Sequence, residues 1–187
     1  MPPSIFESPR HGEAASTPTS PRFLTQVESS AWLAARGLAE HPVVDAAGNH
    51  FFQFAPRPIF VGIRELFVEL LAVPGPFDGG LLRFDNWHWD GGCESDPTAS
   101  YRRGRGDSRS LRQAPGFVVD ADEAMEAADL LSLAVERRWC ASFYAASKAV
   151  TLMLRDGNQV DVFAADLGIE RLLQHRLVEL GAVLFIP

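Results

Sequence analysis

The sequence predicts an α+β fold, a mainly antiparallel sheet of about five to seven strands with helices packed on it. Strand-like segments are joined by short turns, and helical segments occur singly between them. The regular strand–helix–strand alternation that builds a parallel sheet is missing. No internal repeat is visible, and 187 residues is a length typical of one domain.

The N-terminal segment differs in composition from the rest of the chain. Residues 1–22 hold five of the thirteen prolines, with serine, threonine and glycine between them and few apolar residues. This composition predicts a disordered tail, followed by one α+β domain over residues 23–187. Pro18 and Pro21 have the P-x-x-P spacing of some docking motifs, which leaves partner binding by the tail as the alternative.

The elements predicted between residues 29 and 73 rest on helix-capping residues, turn residues and the spacing of apolar residues. Ser29 and Ser30 precede an alanine-rich run, which predicts a short helix that ends before Pro42. Residues 43–54 predict a hairpin around a Gly-Asn turn. Apolar residues at helical spacing over residues 59–73 predict a second helix.

The middle of the chain contains one long segment without periodicity. Residues 79–85 predict a strand that runs into a tryptophan-bearing segment, and residues 90–114 are polar and rich in glycine and arginine. A loop of that length in a compact domain is usually functional or mobile. Residues 115–119 predict a strand, and Asp120 with Glu123 resembles a capping box that opens the next helix, ending at Arg137–Arg138.

The C-terminal third has the strongest local pattern. Strands are predicted over residues 140–146 and 150–154, and Asp156-Gly157 turns the chain into a strand over residues 159–163. A final helix begins near Asp166 and ends at Gly181, and residues 182–186 form a last short strand.

Composition excludes several classes of protein. No apolar run is long enough for a membrane span, and no secretory signal is visible, so we expect a soluble cytoplasmic protein. Cys93 and Cys140 are too few for a disulfide framework or an all-cysteine metal site. The net charge of −7 argues against nucleic-acid binding by the whole surface.

The charge is unevenly distributed. Residues 101–112 carry five arginines and one aspartate, a local charge of +4, so the rest of the chain carries −11. Guanidinium groups bind phosphate or carboxylate oxygens. The predicted ligand-binding residues are these arginines and two nearby aromatic residues: Trp87, Trp89, Arg102, Arg103, Arg105, Arg109 and Arg112.

Three uses of the arginine segment remain open at this point. The first hypothesis is that the arginines pair with acidic residues of the same chain. The second is that they bind an acidic patch of a partner protein. The third is that they bind a nucleotide or nucleic acid, with Trp87, Trp89 and Tyr101 stacking on the bases. The net charge makes nucleic acid the weakest of the three.

Residues 85–96 hold the densest set of reactive side chains. His88, Cys93 and Asp85 are the candidate general base, nucleophile and orienting group of a thiol mechanism. Asp85, His88 and Asp90 are candidate metal ligands, although the spacing fits no known site and we predict neither a metal nor a cofactor. The alternative is a strand end whose tryptophans anchor a polar loop.

A set of short segments is spread over the stretch from Arg64 to Asp161. They are Arg64-Glu65-Leu66, Pro76-Phe77-Asp78, Trp87 and Trp89, Tyr101-Arg102, Gly106-Asp107-Ser108-Arg109, Ala114-Pro115-Gly116, Asp129-Leu130 and Trp139. In these segments the stretch resembles a family of uncharacterised bacterial proteins. The resemblance implies a domain over this part of the chain and no known activity, and Phe117 stands where the family has a histidine.

Two functions are compatible with these observations. The acidic body and the lack of a catalytic motif favour a non-enzymatic protein-interaction module that binds a basic partner, as an immunity protein binds a toxin. The alternative is an enzyme or anionic-ligand binder that uses residues 85–112. Convergence of the arginines with His88 on one concave pocket favours the alternative, and an exposed apolar patch elsewhere favours the first.

Overall fold

A computed structural model describes residues 22–42, 50–56, 61–86, 96–156 and 158–185. The helices are α1 (Gln26–Ala35), α2 (Ile63–Ala72), α3 (Ala99–Gly104), α4 (Ala124–Glu136) and α5 (Leu167–Glu179). The strands are β1 (Phe23–Leu24), β2 (His50–Ala55), β3 (Gly80–Asn86), β4 (Gly116–Val119), β5 (Cys140–Ala145), β6 (Val150–Arg155), β7 (Gln159–Ala164) and β8 (Val183–Phe185).

The described strands form one sheet of eight in the order β1-β4-β3-β5-β6-β7-β2-β8. Every hydrogen-bonded pair in it is antiparallel. The predicted α+β class with a mainly antiparallel sheet is confirmed, with one strand more than the upper end of the predicted range.

The two faces of the sheet are covered differently. Alternate side chains such as Phe52, Leu82 and Phe143 form the main core with the apolar sides of α2, α4 and α5. The opposite face, which we call the second face, carries Leu81 and Tyr144, and there Leu33 of α1 joins a smaller apolar cluster. No described helix other than α1 joins that smaller cluster.

The β6–β7 hairpin and the two ends of α5 lie close to the positions that the sequence predicts. Arg155 pairs with Gln159 across the turn, where Asp156 has a positive φ of 49°. Asp166 accepts a hydrogen bond from the Ile169 N–H and caps α5. These elements follow from local rules, because turn and cap residues act within a few positions.

Two predicted helix starts are wrong. α1 begins at Gln26, because Thr25 and Glu28 form a reciprocal capping box upstream of the two serines. α4 begins at Ala124, because Asp120 opens a turn in which its carbonyl accepts the Glu123 N–H, and the helix starts only after it.

Two short elements were not predicted, and some predictions fall outside the described residues. β1 is held by pairing with β4, and α3 lies inside the predicted loop 90–114. The predicted tail lies outside the described residues except for Arg22, as does the first arm of the predicted 43–54 hairpin. None of the helices in the described part of the chain has the length and apolarity that a membrane crossing requires.

Contact between α1 and the sheet depends on two small residues. A Cβ atom on Gly116 of β4 would overlap the Ser29 hydroxyl of α1. Ser29 is buried, and within the described residues its hydroxyl has no hydrogen-bond partner. Ser29 therefore contributes its small size to this contact, and its hydroxyl is an unfavourable buried group.

We predict opposite effects for alanine at these two positions. Ser29→Ala raises the free energy of unfolding by about 0.5–1 kcal/mol, because it removes an unpaired buried hydroxyl and improves helix propensity. Gly116→Ala lowers it by about 1–3 kcal/mol, because the new methyl group meets α1. Urea denaturation measures both, and a destabilised Ser29→Ala variant contradicts this account of the contact.

Candidate functional site

The predicted catalytic segment is described only at its start. Asp85 lies in β3, whereas Trp87, His88, Trp89 and Cys93 lie outside the described residues, as does Asp90. Asp85 accepts hydrogen bonds from Arg83 Nε at 2.6 Å and from the Ser142 hydroxyl at 2.5 Å. Both of its carboxylate oxygens are therefore engaged inside the protein.

Arg83 is the centre of this polar group on the second face. Its side chain is buried, and its guanidinium also donates to Glu40. The Tyr144 hydroxyl donates to the Glu40 backbone carbonyl at 2.6 Å. Burial disfavours the charge of Arg83, but Asp85 and the hydrogen bonds outweigh it and raise its pKa. This group anchors the segment after α1 to the sheet.

The described part of the predicted long loop, residues 96–114, is held together by one carboxylate. Asp96 Oδ1 accepts from the Thr98 N–H at 2.8 Å and from the Thr98 hydroxyl at 2.6 Å. Its Oδ2 accepts from the Leu111 N–H at 3.0 Å. One side chain thus joins the two ends of the segment that contains α3.

Arg102 is buried beneath the same segment. Two of its guanidinium nitrogens donate to the Ala114 carbonyl, one of them at 2.7 Å, and Nε donates to the Arg109 carbonyl at 3.3 Å. Its guanidinium carbon lies 4.7 Å from the ring centre of Phe23 and 4.9 Å from that of Phe117. Burial lowers the pKa of Arg102. It forms no ion pair within the described residues, so backbone carbonyls and aromatic rings stabilise its charge.

Arg105 joins the basic segment to the acidic segment before α4. It lies 3.3 Å from Glu123 and 3.5 Å from Glu126, and it stacks on Tyr101 at 3.9 Å. Arg22 approaches the same Glu123 at 2.5 Å. Glu123 is therefore shared by two arginines from different parts of the chain.

Arg109 has a carboxylate partner within its own loop. Its Nε and one terminal nitrogen donate to Asp107 at 3.0 and 2.6 Å, and the same terminal nitrogen donates to the Phe23 carbonyl at 2.9 Å. The hydrogen bonds from Arg109 lower the pKa of Asp107. Three of the five arginines thus have partners within the chain.

The other two arginines, Arg103 and Arg112, are exposed. Arg103 and Arg109 line a shallow depression of about 570 Å³ together with Ser100 and Gln113. Arg103 makes no ion pair with any described residue. Because Asp107 neutralises Arg109, the Arg103 guanidinium is the one here without an ion pair among the described residues, and the Asp96 carboxylate also lines the depression.

The described part of the chain contains one cysteine, Cys140, and no cluster of metal-ligating side chains. No group of three or more His, Cys, Asp or Glu side chains there is placed to hold a metal ion. Cys140 donates to Asp156 at 3.2 Å, and burial raises the pKa of its thiol. A raised pKa disfavours the thiolate that acts as a nucleophile.

Exposed apolar side chains are concentrated at the opposite end of the sheet from Arg102, on both faces of the sheet. Within the described residues, five of the seven exposed large apolar side chains lie on α5 and β8, which we call the C-terminal edge. They are Leu167, Leu172, Val178, Val183 and Phe185. β8 is the last strand in the sheet order and pairs only with β2 among the described strands.

Comparison with known proteins supplies no further constraint. No protein-family model, no curated protein and no solved structure matches the chain. The resemblance to a bacterial family therefore stays a prediction.

Sequence reasoning missed two features of these surfaces. Glu40 and Arg83 are paired across 43 positions, which no local pattern indicates. Residues 182–186 were predicted as a strand, but exposure of Val183 and Phe185 depends on β8 being last in the sheet order.

We predict that Arg102 is essential for stability and that its neighbour is not. Arg102→Met lowers the free energy of unfolding by about 2–4 kcal/mol, because buried carbonyls lose their donors. Arg103→Met, on the same helix but exposed, changes it by less than about 0.5 kcal/mol. Urea denaturation compares them, and equal effects contradict the assigned role of Arg102.

We predict that Glu123 contributes to the acid sensitivity of the fold. Burial alone would raise its pKa, but the hydrogen bonds from Arg22 and the Asp120 N–H lower it below the usual 4.5. Because the folded-state pKa is the lower one, the stabilisation is complete above pH 4.5 and is lost as the pH falls through the lowered pKa.

Glu123→Gln therefore destabilises the protein at neutral pH by about 1.5–3 kcal/mol and by less in acid. Thermal unfolding of both proteins across this pH range measures the difference. A difference that does not shrink on acidification contradicts the prediction.

Proposed function

We propose that this chain is a non-enzymatic protein-interaction module that binds its partner through the C-terminal edge. The observation that carries the proposal is the exposure of Val183 and Phe185 on one face of the edge strand β8, with further exposed apolar side chains on α5. Exposed apolar surface larger than isolated side chains usually marks an interaction site.

The edge strand itself supports this proposal. Natural edge strands are commonly protected by charged side chains, proline or a covering element. The Val-Leu-Phe sequence of β8 has no charge, and Val183 and Phe185 are 52% and 46% exposed. A strand of this kind offers both backbone hydrogen-bonding groups and apolar contacts to a partner.

The charge distribution favours a basic partner. Three of the five arginines in the basic segment are bound within the chain, so this segment offers few free cations to an acidic ligand. The protein as a whole carries −7, which speeds association with a positively charged surface. A basic toxin neutralised by an immunity protein is one partner of this chemistry.

The second candidate, an anionic-ligand binder that uses residues 85–112, rests on the depression beside Arg103. Among the described residues, the Arg103 guanidinium there has no ion pair, and its exposure to solvent supports only weak binding of an anion.

The proposal is tested by capture from a lysate of the native host at low and high salt, with mass spectrometry as the readout. We expect one stoichiometric basic protein that is lost at high salt. The double variant Val183→Lys, Phe185→Lys reduces its capture at least about tenfold, because it places charge in an apolar contact.

Val27→Lys is the matched control. Val27 is 79% exposed but lies on α1, away from α5 and β8, so we expect unchanged capture. The melting temperature of each variant checks folding. Equal capture by the double variant and the wild type overturns the proposed surface, and the absence of any stoichiometric partner overturns the function.

A further inference from the structure

A second concave surface lies on the second face of the sheet. The segment after α1, residues 37–42, and strands β6 and β7 enclose an open cleft of about 410 Å³. Its main lining residues are Leu38, His41, Pro42, Lys148, Thr151 and Phe163. Clefts of this size commonly accommodate small molecules.

Lys148, the only lysine of the chain, is held at this cleft by an unusual backbone conformation. It lies in the turn between β5 and β6 with a φ of 66°. A non-glycine residue in this left-handed region is strained, and glycine or asparagine is favoured there. The turn thus retains a long cationic side chain at a position where a glycine fits the backbone better.

The ammonium group of Lys148 lies at this cleft. It makes no hydrogen bond or ion pair with any described residue. A Cβ atom on Gly37 would lie 3.8 Å from its nitrogen, which places the ammonium beside the wall of the cleft. The exposed imidazole of His41 and the hydroxyl of Thr151 line the same cleft.

The other walls are apolar. Leu38 and Pro42 come from the segment after α1, and Phe163 comes from β7. A ligand that matches this lining carries one anionic group for the ammonium and an apolar or aromatic body for Leu38 and Phe163. A cation is excluded by the charge of Lys148.

We propose that this cleft binds a small organic anion, a carboxylate or phosphate ester attached to an apolar or aromatic group. Lys148 neutralises the anionic group, and Thr151 and His41 supply further hydrogen bonds. None of these residues belongs to the C-terminal edge, although Val183 and Phe185 face the same side of the sheet as the cleft.

Phenyl phosphate and benzoate are suitable probes, titrated into the isotope-labelled protein and followed by amide chemical shifts. We expect saturable shifts near residues 38, 148, 151 and 163, with a dissociation constant of about 1 mM or lower for one of the two. Benzyl alcohol, which lacks the anionic group, does not saturate. Absence of saturation by both anions to about 10 mM overturns the proposal.

Inorganic phosphate separates anion binding from recognition of the apolar body. We expect at least about tenfold weaker binding than that of phenyl phosphate, because Phe163 and Leu38 gain no contact. Equal affinity for the two overturns the assigned ligand class.

Variants locate the site. Lys148→Gln weakens binding of the tighter probe at least about tenfold. Arg103→Gln is the matched control. It removes a guanidinium that has no ion pair with a described residue, in the depression beside α3, and leaves the affinity for the probe unchanged. Lys148→Gly also abolishes binding but raises the melting temperature, because glycine relieves the strained turn.

Asp156→Gly is the control for strain alone. Asp156 also has a positive φ, in the turn between β6 and β7, so glycine there raises the melting temperature without changing affinity. If Lys148→Gln or Lys148→Gly binds as tightly as the wild type, the ammonium does not hold the ligand and the proposal is overturned.

Discussion

The charge layout of this protein depends on the buried guanidinium of Arg102. A buried cation is unfavourable unless nearby groups replace its hydration. Here the carbonyls of Ala114 and Arg109 accept its hydrogen bonds, and Phe23 and Phe117 flank it. These contacts tie the edge strand β1, the strand β4 and the loop that contains α3 to one side chain. Arg105 and Arg109 are thereby placed beside their own carboxylates, so the basic segment becomes part of the scaffold.

Much of the fold was predictable because its determinants are local. Asp156 turns the β6–β7 hairpin and Asp166 caps α5, and each acts on residues a few positions away. β1 was not predictable, because two residues become a strand only through pairing with Phe117 and Gly116, more than ninety positions later. The capping box of Thr25 and Glu28 is visible in the sequence. The predicted helix start was too late because it was placed at the beginning of the alanine-rich run, which lies further along the chain.

The roles of the arginines were less predictable than the fold. Whether an arginine is bound within the chain depends on the direction in which its side chain points. Arg102, Arg105 and Arg109 are spaced as on one face of a helix, and all three face partners within the chain. That spacing does not explain their orientation, because α3 ends at Gly104 and Arg105 and Arg109 lie beyond it. The pairing of Arg83 with Glu40 had no signal, since Glu40 lies outside any helix or strand.

The two ends of the sheet differ in a way that bears on function. At one end, the Phe23 carbonyl of β1 accepts a hydrogen bond from Arg109, and Tyr101 packs edge-on against the Phe23 ring. At the other end, β8 has no described strand beyond it, and its side chains Val183 and Phe185 are half exposed.

An unprotected apolar edge is an aggregation hazard, which natural sheets usually suppress. Among the described residues, Arg109 and Tyr101 of the segment that contains α3 contact β1, whereas no strand pairs with the outer side of β8. This difference between the β1 and β8 edges is explained if a partner covers β8. The apolar side chains of β8 are then exposed only in the unbound protein. Under the proposed function, the end of the sheet at β1 serves stability and the end at β8 serves association.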